Sequence, residues 1–288
     1  MTMTYRPMCI IMALAAMVST SNIYAQSSPS IDFSVRYTPE TTYAMSNVTI
    51  NTMSMTSTGT TSEAKKRLGA NNGKTVTTTS TKEMTGKIII GKRGSDQQCP
   101  LEFNIEKIAA RQGATTPSAA NILQDIRMTG KYTANDKIVL DSVMSTSLPA
   151  NARTMMLNMM NTVLAQVQVP GKTLSIGDSV VQNNTLNMPI GATTMTVAMQ
   201  ISYTLRRVEG KLAYLDIHTN AKFSYEGGAV DGLKATGGGN GKMVYNVDTH
   251  YPENADNELN IGIDRMQDKV KTHLKVTVHS LQKVTVTH

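Results

Sequence analysis

Apolar and polar residues alternate with a period of two along most of this chain, the pattern of half-buried β-strands. Ile31, Phe33, Val35 and Tyr37 alternate with Asp32, Ser34 and Arg36, and Pro39 ends that strand. Tyr43 to Ser57 reads as a second strand. Its apolar members Met45, Val48, Ile50, Met53 and Met55 change parity, which predicts a bulge or two short strands. Ser62 to Gly73 reads as a loop or a single helical turn. Lys74 to Ser80, Leu101 to Glu106 and Lys137 to Ser142 are further strands, and Gly86 to Gly91 encloses Lys87 and the apolar Ile88-Ile89-Ile90. Arg111 to Pro117 is a polar linker, and Ile122 to Lys131 fits either a helical turn or a strand. Ser179 to Met188 and Thr193 to Leu205 follow, the second forming a hairpin with Leu212 to Ile217 through Glu209-Gly210. Met243 to Val247 and Leu259 to Ile263 flank a turn region at Thr249 to Asn257. In the last strand Leu274, Val276, Val278, Val284 and Val286 share one parity. His273, Lys275, Thr277, His279, Lys283 and Thr285 share the other, so one face is buried and one is wet, an antiparallel habit.

One stretch breaks the period. Met156, Met159, Met160, Val163, Leu164 and Val167 recur at i, i+3, i+4, i+7, i+8 and i+11, the stripe of an amphipathic helix. Ser147 and Pro149 suit its start and Pro170-Gly171 its end, which places a central helix at about 149–169. The fold class this predicts is mainly β (α+β): an antiparallel, curved sheet or open half-barrel with one amphipathic helix packed against it. A single domain over 31–288 is expected, after a flexible leader at 26–30.

Residues 1–25 read as an export signal. Arg6 is the positive region, Met8 to Val18 the short apolar core, and Ile23-Tyr24-Ala25 the cleavage site. That run is too short to span a bilayer, so no transmembrane segment is expected after cleavage. Periplasmic or secreted localisation follows. Cleavage takes 25 of the 288 residues and one of the two cysteines, leaving Cys99 alone. A lone Cys forms no internal disulfide, so the core must hold the fold, as suits a bacterial envelope protein.

Lys and Arg number 28 against 21 Asp and Glu, a formal charge of +7. Nucleic acid is nonetheless not expected as a partner. The basic clusters Lys65-Lys66-Arg67 and Lys92-Arg93 are short, and with no Trp and three Phe there is little to stack on bases.

Several short motifs stand together between Leu174 and Val247 and before. They are a Lys-x4-Gly-Asp-Ser turn at Lys172 to Ser179 after the apolar helix, a hairpin at Tyr203 to Ile217, the strand entry GGGNGKMVYNV at Gly237 to Val247, and VRYTPETTYAM at Val35 to Met45. In these the chain resembles an uncharacterised family of exported, Met-rich, β-rich bacterial proteins, a domain of unknown function. Val180 departs from the family's pattern, which has an aromatic after Gly-Asp-Ser. The resemblance implies export and a β-rich fold, and it carries no catalytic residues.

Enzyme chemistry finds no support. There is no Gly-x-Ser-x-Gly elbow and no His-Glu-x-x-His, and the carboxylates Glu102, Asp141, Asp178 and Asp216 are scattered. Gly237 to Lys242 fails the phosphate-loop spacing and precedes a strand. Its glycines at 237, 239 and 241 leave one strand face bare, where the helix or a ligand could lie. His273 and His279 lie on one strand face but roughly 20 Å apart, too far to share a metal. No cofactor and no metal ligand set is expected. The methionines are the most suggestive feature: Met155, Met156, Met159 and Met160 sit together, and Met53 and Met55 share a strand face. Thioethers fill irregular apolar gaps and also bind Cu(I).

The first expectation is a non-catalytic binding or carrier protein for a lipid or other apolar or amphipathic ligand. Its cavity would be lined by Met156, Met159, Met160, Val163 and Leu164 of the helix and Met195, Val197 and Met199 of the sheet. The second is a structural or interaction protein of the cell envelope that meets a protein partner and binds no small molecule. The third is copper handling.

Overall fold

A computed structural model of the chain describes residues 29–113, 116–117, 125–166, 171–190, 193–226 and 234–288. The export signal, most of the leader, Val167, Pro170 and the 227–232 loop lie outside these residues.

In chain order the strands begin with β1 (Ser30–Phe33), β2 (Thr41–Gly59), β3 (Thr75–Ile90), β4 (Cys99–Gln112), β5 (Thr116–Pro117), β6 (Ile126–Tyr132) and β7 (Ile138–Met144). They continue with β8 (Lys172–Ser175), β9 (Ser179–Ile190), β10 (Thr193–Glu209), β11 (Leu212–Glu226), β12 (Lys234–Asn246), β13 (Tyr251–Gln267) and β14 (Val270–Thr287). Helix α1 (Ser62–Leu68) joins β2 to β3, and α2 (Ala150–Gln166) joins β7 to β9 by way of β8. Eleven strands follow one another in one antiparallel sheet, in the order β7-β6-β4-β3-β2-β14-β13-β12-β11-β10-β9, with β5 on β4. The sheet is not closed. Its two edges, β7 and β9, flank α2 in the sequence, and the helix packs on both, mainly on β7. β1 pairs instead with β8 in a separate ribbon.

The curl of the sheet is visible at Tyr37. The rings of Tyr132 on β6 and Tyr251 on β13 lie 5.5 and 5.3 Å from the Tyr37 ring. In a flat sheet those strands, five steps apart, would be roughly 24 Å from each other. The sheet therefore wraps around the segment that follows β1. Two apolar cores fill this wrapped end. One gathers Tyr43, Ile88, Ile90, Leu101, Met128, Leu140 and Val284 beneath α2. The other packs Phe33 and Leu174 of the ribbon on Tyr203, Leu205, Leu215 and Tyr245.

Several expectations are corrected. The alternation at Ile31 to Tyr37 is not one strand. β1 stops at Phe33 because the chain leaves β8 there, and Tyr37, half-buried, bridges strands instead. The expected bulge in the second strand is absent: β2 pairs without a register shift along β14 and β3. Its parity change arises because Val48 and Ile50 face outward, where Val48 opposes Leu281. The turn region at 249–257 shrinks to residues 247–250. Pro252 lies inside β13 at a register shift, where a residue without an N–H is tolerated. The ambiguous segment before Lys131 is strand in its described part, and α1 is the helical turn expected near residue 62.

Candidate functional site

Pairing registers define which side chains share the inner face. Ile88 and Ile90 on β3, Tyr43 on β2, Val284 on β14 and Met243 on β12 are buried there, so residues of the same parity point the same way along each strand. Toward the wrapped end this face is core. Toward the other end it opens.

Two cross-strand rows form the open part. One runs Met199, Ala221, Gly237, Ile261, Val276, Met53 across six strands. The next includes Val197, Ala235, Ile263, Leu274, Met55 and Val76. Ile201, Leu259 and Val278 stand in the row before them. On β13, β14, β2 and the start of β3 none of these apolar side chains is buried; Met53, Met55 and Val76 are 45%, 44% and 52% exposed. A single-layer sheet thus presents an apolar face to solvent, while its outer face is polar. There Thr56 and Thr75 hydroxyls meet at 2.7 Å and those of Ser54 and Thr77 at 2.9 Å, a ladder of cross-strand hydrogen bonds.

The glycine stripe belongs to this face, and neighbouring strands, not the helix, lie closest to it. A Cβ at Gly239 would collide with the Glu258 carbonyl of β13, and one at Gly237 would come within 3.2 Å of the Phe223 ring. Glycine lets β12 and β13 approach and bend there.

Between the open part and the cores lies a polar belt. Asn257, Ser280, Thr49 and Lys82 form one inner row, and Gln282 and Asn47 belong to the next. Thr49 Oγ1 donates to Asn47 Oδ1 at 2.8 Å, and Asn47 Nδ2 donates to Ser280 Oγ at 3.4 Å. Nearer β9, Tyr203 OH donates to Gln182 Oε1 at 3.2 Å.

A second hollow, of about 350 Å³, sits at the wrapped end among Val35, Tyr37, Ile138, Leu164, Met243 and Tyr251. On its rim Arg36 lies 3.3 Å from Asp32 and 4.0 Å from Asp136. The tyrosines there are held neutral. Burial raises Tyr37 well above its ordinary value, with the Tyr251 hydroxyl at 3.3 Å adding to this. Burial likewise raises Tyr251 and Tyr132.

The expected cavity residues divide between these places. Met156, Met160 and Leu164 pack onto the core, with Leu157 beside them, and Leu164 also lines the hollow. Met159 is on the outer flank of α2, 58% exposed, and Met155 is 71% exposed, so the helix splits its four methionines between two faces. Val163 falls within α2. Met195, Val197 and Met199 share the inner face of β10; Val197 is buried and the two methionines are half-buried. Helix and β10 residues are not members of one cluster. The apolar set on β13, β14 and β2 escaped the sequence reading of a cavity. Its signal was present in the shared parity of Leu274, Val276 and Val278 and of Met53 and Met55, but only strand pairing puts them side by side.

The remaining candidates have local explanations. His273 Nδ1 lies 3.0 Å from Asp264 and His279 Nε2 2.7 Å from Asp256, both across the outer face. Cys99 is buried in the first core. Among the described residues no group of three or more His, Cys, Asp or Glu is gathered to hold a metal. No helix there is long and apolar enough to cross a membrane.

Fold and site together define an open antiparallel half-barrel with an uncovered apolar inner face. No protein-family model matches the chain, and no curated protein is significantly similar to it.

Proposed function

We propose that this chain is a non-catalytic binding or carrier protein for an apolar or amphipathic ligand, exported to the periplasm or beyond. One observation carries the reading: the inner face of β13, β14 and β2 keeps Met53, Met55, Leu259, Ile261, Leu274, Val276 and Val278 in a continuous, unburied array. Contiguous exposed apolar surface on a soluble fold marks a place where something binds. Methionine suits such a surface, because its flexible thioether adapts to ligands of varied shape. A curled sheet supplies the concavity, and α2 with the ribbon closes one end of it.

The test is native mass spectrometry on protein purified gently from its own envelope, followed by denaturing extraction. An extra mass that extracts as lipid is expected. A bare polypeptide would overturn the carrier reading.

The same uncovered apolar face favours a second reading, an interaction protein of the envelope that meets a protein partner there. The bare polypeptide is the result that would favour it.

A further inference from the structure

Charge is divided unequally between the two faces of the sheet. The inward positions of β2, β3, β9, β10, β11, β12, β13 and β14 include no Asp or Glu in the pairing rows. The carboxylates of these strands face outward, as Asp256, Asp264 and Asp216 do in their pairs with His279, His273 and Arg206. Two cations do face inward. Lys82 opposes Thr49 in the polar belt, and Arg265 opposes Thr272 beyond the last apolar row. Both are exposed, and neither is in an ion pair among the described residues.

The face is therefore graded along the strands. A hydrogen-bonding belt with one cation comes first, and then three rows rich in apolar side chains. From the Lys82 row to the row of Val76 and Met55 is six residues of strand, roughly 20 Å. One leaflet of a bilayer's ~30 Å hydrocarbon core is about 15 Å, so a long acyl chain fits that run with its polar end on the belt.

We propose that the ligand is a single-chain amphiphile with a carboxylate head, a long-chain fatty acid. Its head lies at Lys82 among Asn47, Thr49 and Ser280, and its chain runs over Val276 and Met53. This assignment rests on the carrier reading and gives it a ligand class and a direction. One inward cation at the belt, set among neutral amides and hydroxyls, matches one negative charge. A phosphate monoester would bring up to two. The missing inward carboxylates remove the repulsion that would reject an acid. Arg265 lies outside the apolar rows, near the open end, where it attracts the acid without holding the bound head.

The test compares two fluorescent probes that differ only in the head group, cis-parinaric acid and its methyl ester, on the unaltered protein and on Lys82→Gln. The acid is expected to bind roughly fivefold more tightly than the ester, as one partly exposed charge contact would give. In Lys82→Gln the acid should fall to the affinity of the ester, and the ester should be unchanged, which also shows that the variant is folded. Failure of both probes to bind the unaltered protein would remove the carrier reading itself. If both bind equally, or the acid preference survives Lys82→Gln, the carrier reading stands and the head-group assignment falls. A preference lost in Arg265→Gln but kept in Lys82→Gln overturns the direction. Displacement of the probe by lysophosphatidic acid at lower concentration than palmitate overturns the carboxylate.

Discussion

Asn161 on α2 holds the Leu140 peptide on β7 by both ends. Its Oδ1 accepts the Leu140 N–H at 2.9 Å, and its Nδ2 donates to the Leu140 carbonyl at 2.9 Å. The side-chain amide thus takes the place of the next strand at one edge of an open sheet. An unpaired edge invites association with another chain, and natural sheets cover such edges with a helix or loop. Here the same helix buries Met156, Met160 and Leu164 on the core, so edge protection and core formation depend on one element.

Replacing Asn161 with Leu should therefore cost stability and solubility together. Leaving the Leu140 N–H and carbonyl without partners is expected to cost about 1–3 kcal/mol. Urea denaturation would measure it, and light scattering should show association that the unaltered protein lacks. Asn161→Asp, which keeps the acceptor and loses the donor, should fall between the two.

The tyrosines of the two cores make stability fall at high pH. Burial raises Tyr37, Tyr132, Tyr203, Tyr245 and Tyr251 above their ordinary value of 10.0. A group raised in the folded state keeps its proton there after the unfolded chain has lost it. Its contribution is complete below pH 10 and disappears as pH rises from there through the folded value, by at most about 1.4 kcal/mol per pH unit for each tyrosine. Absorbance at 295 nm should show these phenols ionising together with unfolding, not before it. Gradual ionisation in a chain that keeps its circular dichroism would contradict their burial.

Tyr37, although half-buried, should be a costly ring to lose. It contacts Tyr43, Tyr132 and Tyr251 at 5.1, 5.5 and 5.3 Å between centroids. Tyr37→Phe keeps the rings and loses the hydroxyl bond to Tyr251, for about 0.5–1.5 kcal/mol. Tyr37→Ala removes ring contacts to strands on opposite sides of the curl and should cost more than Tyr37→Phe, up to about 3 kcal/mol for a half-buried ring. Thermal melts of the two variants separate the contributions.

At Gly239 the backbone of β13 lies where a side chain would be. Gly239→Ala should cost about 1–3 kcal/mol, because the clash is with a carbonyl that the ladder holds in place. At Gly177, in the turn before β9, nothing lies within 4 Å of an added Cβ. Alanine there meets only the cost of a left-handed φ of 95°. The two variants, compared by denaturation, separate packing from backbone strain.

Much of this was legible in the sequence, and the illegible part has a clear physical origin. Period-two alternation located most of the strands and the parity of the last one, and the Met-rich stripe located α2. Which flank of the helix is buried depends on what it meets: Leu157 goes in and Met159 stays out because β7 and the core approach from that side. The polar belt was invisible because its members are far apart in the chain; Asn47, Thr49, Lys82, Asn257 and Ser280 become neighbours only through strand pairing. Tyr37 alternated like a strand residue, but a sequence cannot show that the sheet would wrap around it.

If the chain carries an apolar ligand as proposed, that ligand lies on the inner face of β13, β14 and β2. A photoaffinity lipid with a diazirine in its acyl chain, crosslinked to the protein and mapped by peptide mass spectrometry, tests it most directly. Labels are expected on peptides covering Met53 and Met55, Leu259 to Ile263, and Leu274 to Val278. Labels confined to α2 or the hollow beside Tyr37, or none above those on the denatured chain, would contradict it.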